Sequence, residues 1–171
     1  GDDGWRNRNA AFTNCSRTTL TVRVRRHPAS TTNAMYLNVW FDGMHDGDWN
    51  DNAFCQPSDG GAPRASTEWI VRDRVVPIGA IAPGGFVDVN VNTEVVLNVT
   101  PEKLHWMRFT LSDSPAIAAG FPDGRGPAGG YAKGETEDYL QRNGGPGENG
   151  TLSLAKQVIT NSDPVEWIDY V

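Results

Sequence analysis

The sequence lacks the features that identify several large classes of protein. It has no run of about 18 or more apolar residues, so no segment is expected to cross a bilayer as a helix. Its 15 Lys and Arg are outnumbered by 21 Asp and Glu, and the formal net charge of -6 leaves no basic stripe for a phosphate backbone. The sequence therefore predicts neither a membrane span nor a nucleic-acid partner.

Residues that commonly form catalytic sites are also few. The three histidines, His27, His45 and His105, do not have the His-Glu-x-x-His spacing of a catalytic zinc site. If Cys15 or Cys55 were a nucleophile, the other cysteine would be left without a partner. We therefore expect a protein without catalytic activity.

Cysteine is scarce, and the two that are present, Cys15 and Cys55, fit a single disulfide in an oxidising compartment. The alternative is a pair of buried free thiols. The chain starts at Gly1 without an initiator Met, as expected of a mature exported protein, although a fragment of a larger protein would look the same. We expect an extracellular or cell-surface location.

Long helical periods are absent, whereas the turn-forming residues Gly and Pro are frequent, with 19 and 11 copies. Short blocks instead alternate apolar and polar residues, which is typical of strands with one face on a core. These blocks are Leu20 to Val24, Leu37 to Phe41, Val87 to Val91, Val95 to Val99 and His105 to Leu111, and further strands are expected at Glu68 to Val76 and Thr151 to about Ile159. The pattern predicts an all-β fold, an antiparallel and jelly-roll-like β-sandwich with long loops.

The length of 171 residues is that of one ordinary domain. We expect an N-terminal segment over residues 1–17, the sandwich over 18–160, and a strand-like C-terminal tail over 161–171. Long polar connectors are expected at Asp42 to Thr67 and at Ser112 to Gly134. Loops longer than about a dozen residues are commonly functional, or are held by a metal or a disulfide.

The first connector begins with an acidic loop that follows a predicted strand. With Asp42 counted as the first position, Asp46 is fifth, Gly47 sixth, Asp48 seventh and Asn50 ninth, which approximates an EF-hand calcium loop without its helices. The third position departs from that pattern, because Met44 has no hard oxygen ligand. The candidate ligands are therefore Asp42, Asp46, Asp48 and Asn50. The alternative is that these Asp-Gly pairs form ordinary hairpin turns.

A second acidic segment can supply the missing ligands. In an extended Glu135-Thr136-Glu137 run, both Glu side chains lie on one face of the strand. Neighbouring carboxylates repel each other unless a cation or a base neutralises them. We predict that Glu135, Glu137 and Asp138 complete a Ca2+ site with the acidic loop. The alternative is that they are solvated or pair with Arg108 and Arg142.

Three separated motifs resemble the GEVED domain of bacterial and archaeal secreted proteins, over roughly Tyr36 to Leu140. They are a strand ending in Trp-Phe-Asp with its Asp-Gly-Asp-Trp loop, the strand Arg108-Phe109-Thr110-Leu111-Ser112, and the segment Gly134-Glu135-Thr136-Glu137-Asp138-Tyr139. Here Thr136 stands at the Val of the family motif, and Met44 at the Asn of its loop. The resemblance implies a non-catalytic β-sandwich of extracellular or cell-surface proteins.

Two functions remain open. A structural or adhesive subunit, self-associating as a homo-oligomer or surface assembly, is favoured by the apolar block Val165 to Val171, which we expect to add to a sheet of its own or a neighbouring subunit. A carbohydrate-binding module is the alternative, because tryptophan can stack on sugar rings. The tryptophans are Trp5, Trp40, Trp49, Trp69, Trp106 and Trp167. An exposed row of them would favour a glycan ligand, whereas burial would favour a structural role.

Overall fold

The computed structural model describes residues 4–99, 103–119, 123–124, 126–127, 130–142 and 152–157. Within these residues the fold consists of nine strands, all paired antiparallel. They are β1 (Thr19–Arg25), β2 (Met35–Phe41), β3 (Asn52–Cys55), β4 (Arg64–Thr67), β5 (Trp69–Val76), β6 (Phe86–Asn92), β7 (Leu104–Ser112), β8 (Gly134–Arg142) and β9 (Leu152–Gln157). The predicted all-β antiparallel sandwich is confirmed.

The larger layer is a five-stranded sheet in the order β5-β2-β7-β8-β9. Alternation places the apolar residues of its central strands on one face, where Val39, Met107 and Phe109 are buried. The register aligns Val39 with Phe109 and Phe109 with Glu137. One row of side chains therefore crosses three strands on the inner face of the sheet.

The opposite layer is formed by β1 and β6, whose buried residues Val22, Val24 and Val91 meet that inner face. Trp5 extends this layer, because it forms an antiparallel bridge with Val22. The amide of Arg6 donates to the carbonyl of Thr21 at 2.8 Å on the same edge of β1. The core lies between the two layers.

The N-terminal segment, expected to be a separate stretch up to residue 17, contributes side chains to this core. Trp5 and Phe12 are almost fully buried, and the Trp5 ring stacks on Phe109 with a centroid distance of 5.5 Å. The segment before β1 therefore packs into the core of the sandwich. The expected C-terminal tail over 161–171, including Val165 to Val171, lies outside the described residues.

The connector from Asp42 to Thr67 contains a hairpin, β3–β4, that the sequence did not predict. The predicted disulfide is confirmed: Cys55 at the end of β3 is joined to Cys15, with a Cα–Cα distance of 5.4 Å. The predicted strand Val95 to Val99 is mostly irregular, and only Val96 forms a bridge, with Ser16. Val95 and Leu97 are buried in one cluster and Val96 and Val99 in another, so the apolar residues do not all face one core, and Asn98 is exposed.

A second apolar cluster lies on the outer face of the large sheet, where Trp40 stacks on Trp69 at 5.6 Å and Trp49 packs beside them. A helix of four residues, Ala116–Ala119, covers part of this cluster. None of the helices among the described residues has the length and hydropathy needed to cross a membrane.

Candidate metal centre

The acidic loop starts where β2 ends and turns back at once. The amide of Asp42 donates to the carbonyl of Trp106 on β7 at 2.9 Å, and the Asp42 carboxylate accepts the amide of His45 at 2.5 Å. His45 has a φ of 61° and Gly47 a φ of 86°, both in the left-handed region, which Gly adopts without steric cost. The two turns direct the following Asp side chains to one side of the loop.

The base of the β3–β4 hairpin lies beside this loop. Asp51 directly precedes β3, Glu68 directly follows β4, and the amide of Glu68 donates to the carbonyl of Asp51 at 3.0 Å. The amide of Phe41 donates to the carbonyl of Glu68 at 2.8 Å, which fixes the hairpin base against the end of β2. Asp51 and Glu68 are therefore held beside the start of the acidic loop.

Glu68 is only 1% exposed, and its carboxylate fixes the backbone of the acidic loop through hydrogen bonds. Its Oε1 accepts the amides of Gly43 and Met44 at 2.9 and 3.0 Å, and its Oε2 accepts the amide of Asp51 at 3.3 Å. A side chain at Gly43 would meet the carbonyl oxygen of Leu97 at 3.1 Å, so glycine suits this close approach.

Four carboxylates converge at this point: Asp46, Asp48, Asp51 and Glu68. One oxygen from each lies within 4.8 Å of the oxygens of the other three. Ca2+ binds oxygen ligands at about 2.3 to 2.6 Å, so two oxygens on one ion are at most about 5 Å apart. This four-carboxylate cluster therefore has the spacing to hold a metal ion.

The cluster concentrates negative charge in a partly desolvated place. Burial, followed by the charges of Asp42 and Asp51, raises the pKa of Glu68 to about 7, although the amides of Met44 and Asp51 oppose the rise. Desolvation and the neighbouring Asp46 and Asp48 carboxylates likewise raise the pKa of Asp51. Ion pairs among the described residues involve other carboxylates, as in Arg23–Asp88 and Arg108–Asp138. A bound cation would lower the electrostatic cost of this cluster.

Two of the four predicted loop ligands, Asp46 and Asp48, belong to the cluster. The other two lie beside it. Asp42 is buried, and its carboxylate accepts the amide of His45. Its negative charge contributes to the raised pKa values of Glu68 and Asp51. Asn50 is exposed, and its amide donates to the Asp48 carboxylate at 3.1 Å.

The structure does not bring Glu135, Glu137 and Asp138 to the acidic loop. Their expected proximity depended on β2 and β8 being neighbours, but β7 lies between these two strands. Both Glu side chains do share one face of β8, as predicted, and that face is the inner one. They line an interior space together with Val22.

Each of these three acidic residues has a different environment. Glu135 is buried on β8 opposite Leu111 of β7, and Glu137 accepts a hydrogen bond from the Tyr139 hydroxyl. The Asp138 carboxylate lies on the outer face and forms two hydrogen bonds with Arg108, at 2.7 and 2.8 Å. For Asp138, pairing with Arg108 agrees with the alternative interpretation of the sequence, in which these acidic residues pair with arginines.

Asp51 and Glu68 are the cluster members that sequence reasoning did not select as ligands. Asp51 closes the acidic loop, but it lies outside the EF-hand spacing used to choose ligands. Glu68 immediately precedes the apolar run Trp69-Ile70-Val71 and is itself buried. A charged residue at the start of a buried strand is a signal for a satisfied or functional carboxylate, because unpaired buried charges are costly.

His105 borders the site from the inner face of β7 without joining the four-carboxylate cluster. Its ring is fully buried, stacks on Phe41 at 4.7 Å and lies 4.5 Å from the ring of His45. Burial lowers the pKa of His105 to about 4, so the ring is neutral near pH 7. His105 therefore adds no charge beside the acidic loop, and the donors of the four-carboxylate cluster are all oxygens.

No family model matches the chain, and neither do curated proteins or solved structures. The resemblance to the GEVED domain thus depends on the three sequence motifs alone.

Proposed function

We propose that this protein is a secreted, non-catalytic, calcium-binding β-sandwich with a structural or adhesive role. The observation that supports it most is the four-carboxylate cluster, whose oxygens are spaced for one ion. The acidic loop supplies Asp46 and Asp48, and the hairpin base supplies Asp51 and Glu68. The disulfide indicates an oxidising environment, which agrees with an exported protein.

The ligand chemistry favours calcium over other divalent ions. All four donors are carboxylates, which suit hard cations, whereas zinc is commonly bound by Cys and His. Calcium accepts six to eight oxygens in a flexible arrangement, and backbone carbonyls or water can add to four carboxylates. Magnesium requires a smaller octahedral shell and keeps several waters.

The GEVED resemblance supports the same proposal, with one change to the expected ligands. In this chain the Gly134 to Tyr139 motif forms most of β8, and its Glu residues face the interior instead of the acidic loop. The role proposed for the motif is therefore structural. Asp51 and Glu68 take the place that Glu135 and Glu137 were expected to fill.

A carbohydrate-binding role is less supported by the tryptophans that the structure describes. Trp5, Trp40, Trp49 and Trp69 are buried, and Trp106 is 38% exposed. Within the described part of the chain there is thus no flat row of exposed tryptophans. Trp167 lies outside that part.

The proposed assembly role would use apolar side chains at the surface, and three large ones are exposed on different elements. Phe54 is 77% exposed on the hairpin, Phe86 is 57% exposed on β6, and Ile117 is 65% exposed. Sedimentation velocity of the full chain over a range of concentrations tests this role. A monomer at every concentration would contradict it.

Calcium is expected to stabilise the folded protein strongly. Binding to the folded state alone adds about 2.7 kcal/mol at a hundredfold excess over Kd, which for a domain of this size raises Tm by about 5 to 10 °C. The measurement is thermal unfolding of chelator-treated protein, with and without added calcium, together with a calorimetric titration of the same sample.

Asp46→Asn removes one carboxylate of the cluster and is expected to abolish most of this calcium-dependent rise. Asp59→Asn is the matched control, because Asp59 lies in the exposed turn of the hairpin, away from the cluster, and Asn retains an oxygen for the amide of Gly61. A Tm that is insensitive to chelator and calcium in the wild type would contradict the proposed function.

A further inference from the structure

The β3–β4 hairpin is attached to the rest of the protein at two places. Among the described residues its strands pair only with each other. Its base is bonded to the end of β2 through Glu68, as described above. Its other attachment is at the Cys55 end, where the disulfide joins it to Cys15.

The second attachment is small apart from the disulfide. The hydroxyl of Ser66 donates to the carbonyl of Val95 at 2.7 Å, and the guanidinium of Arg64 donates to the carbonyl of Cys15 at 3.1 Å. The apolar contacts are those of a small cluster of Cys15, Cys55, Val95, Leu97 and Ala53, separate from the main core. Both disulfide-bonded cysteines belong to that cluster.

The same region also supports the acidic loop. The segment that receives the Ser66 hydrogen bond continues to Asn98, whose side-chain amide donates to the carbonyl of Gly43 at 3.0 Å. The amide of Cys15 donates to the carbonyl of Val96 at 2.8 Å, so the cysteine is bonded to this segment as well. Hydrogen bonds of the residues from Val95 to Asn98 therefore link Cys15, the hairpin and the acidic loop to one segment.

We propose that the Cys15–Cys55 disulfide is a redox-sensitive clasp for the β3–β4 hairpin, and that its reduction releases the hairpin and weakens cation binding at the cluster. This inference extends the proposed function and depends on it for the second effect. Both sulfur-bearing residues are buried, so a reductant reaches them only when the hairpin moves away. A cation that holds the hairpin base is then expected to protect the disulfide, since coupling between two sites is reciprocal.

The first measurement is amide hydrogen exchange of residues 52–67 without metal. A dithiol gives two electrons and two protons to the sulfurs, so that Cys15 and Cys55 become thiols and the reductant closes its own disulfide. Exchange of the hairpin amides is expected to accelerate at least about tenfold on reduction, while β2 and β7 keep their protection. Unchanged hairpin exchange would overturn the clasp.

The second measurement is the calcium Kd of the oxidised wild type, the reduced wild type and the Cys15→Ser/Cys55→Ser variant. The affinity is expected to fall about tenfold in the last two, within the usual range of coupling. The dithiol itself should not change the Kd of the variant, which controls for effects of the reagent. Equal affinities in all samples would overturn the coupling, whereas an oxidised protein that binds no calcium would overturn the proposed function.

A third measurement needs no variant and remains informative if the double-serine protein does not fold. The midpoint potential of the disulfide in wild-type protein is expected to fall by about 30 mV at saturating calcium, the equivalent of a tenfold change in affinity for a two-electron couple. The potential is read from thiol alkylation at a series of dithiol ratios. A potential that calcium does not change would contradict the proposal.

Discussion

Replacing Trp5 with alanine is expected to lower the free energy of unfolding by about 3 to 5 kcal/mol, the range for truncating a large buried aromatic residue. The Trp5 ring is 1% exposed, stacks on Phe109, and meets the rings of Phe12 and Tyr139 edge-on at 6.3 and 5.7 Å. Its indole N–H also donates to the Asn7 side chain at 2.9 Å. Truncation would remove all these contacts and leave a cavity between the layers.

Urea unfolding of Trp5→Ala and of Trp106→Ala provides the comparison. Trp106 lies on the outer face of β7 and is 38% exposed, so its truncation is expected to cost about 1 kcal/mol or less. Both variants are measured with the disulfide intact, so that the N-terminal segment stays linked through Cys15. Similar losses in the two variants would contradict the assignment of the N-terminal segment to the core.

Strands were predictable from sequence where each has one buried and one polar face. In β7 the residues Met107, Phe109 and Leu111 are buried on the inner face, while Trp106 and Arg108 lie on the other, as the alternation predicted. A period of two is a local property, because successive side chains point to opposite faces whatever the neighbouring strand is. The presence of such a strand, and which of its side chains face the core, could therefore be predicted from its residues alone.

The alternation of apolar and polar residues did not predict the order of the strands in the sheet. Glu135 and Glu137 share a face as predicted, but alternation does not tell which strand lies beside β8. Because β7 lies between β2 and β8, the two Glu residues are separated from the acidic loop by about 10 Å across the sheet, at the usual spacing between strands. The expected ligand set required long-range information that local patterns do not contain.

The β3–β4 hairpin was not predicted for a related reason. Each of its strands has only four residues, and Phe54 on β3 is exposed while Ser66 on β4 is buried, which reverses the usual pattern. The disulfide and the hydrogen bond from Ser66 to Val95 hold the hairpin in place of a broad apolar face. Such a segment has little hydrophobic periodicity for a sequence pattern to detect.

Without metal, the protein is expected to lose stability as the pH rises from about 4.5 to about 7 because of Glu68. In the folded protein the pKa of Glu68 is raised to about 7, whereas in the unfolded chain it is near 4.5. The folded state therefore binds the proton more tightly, and this contribution to stability is complete below about pH 4.5 and is lost as the pH rises through about 7. Each pKa unit corresponds to about 1.4 kcal/mol, and screening by solvent near the exposed loop reduces the effect, so the expected fall is of the order of 1 to 2 kcal/mol.

Urea unfolding of chelator-treated protein at a series of pH values measures this fall, and Glu68→Gln identifies its source. Gln cannot ionise, and its side-chain oxygen still accepts the amides of Gly43 and Met44, so the fall should shrink in this variant. Glu94→Gln is the control, because Glu94 is a surface residue paired with Arg17, and such pairs contribute little. Parallel profiles for the wild type and Glu68→Gln would contradict the raised pKa. Saturating calcium should reverse the trend in the wild type and in Glu94→Gln but not in Glu68→Gln, since the cation binds the ionised carboxylate and its affinity increases as Glu68 loses its proton.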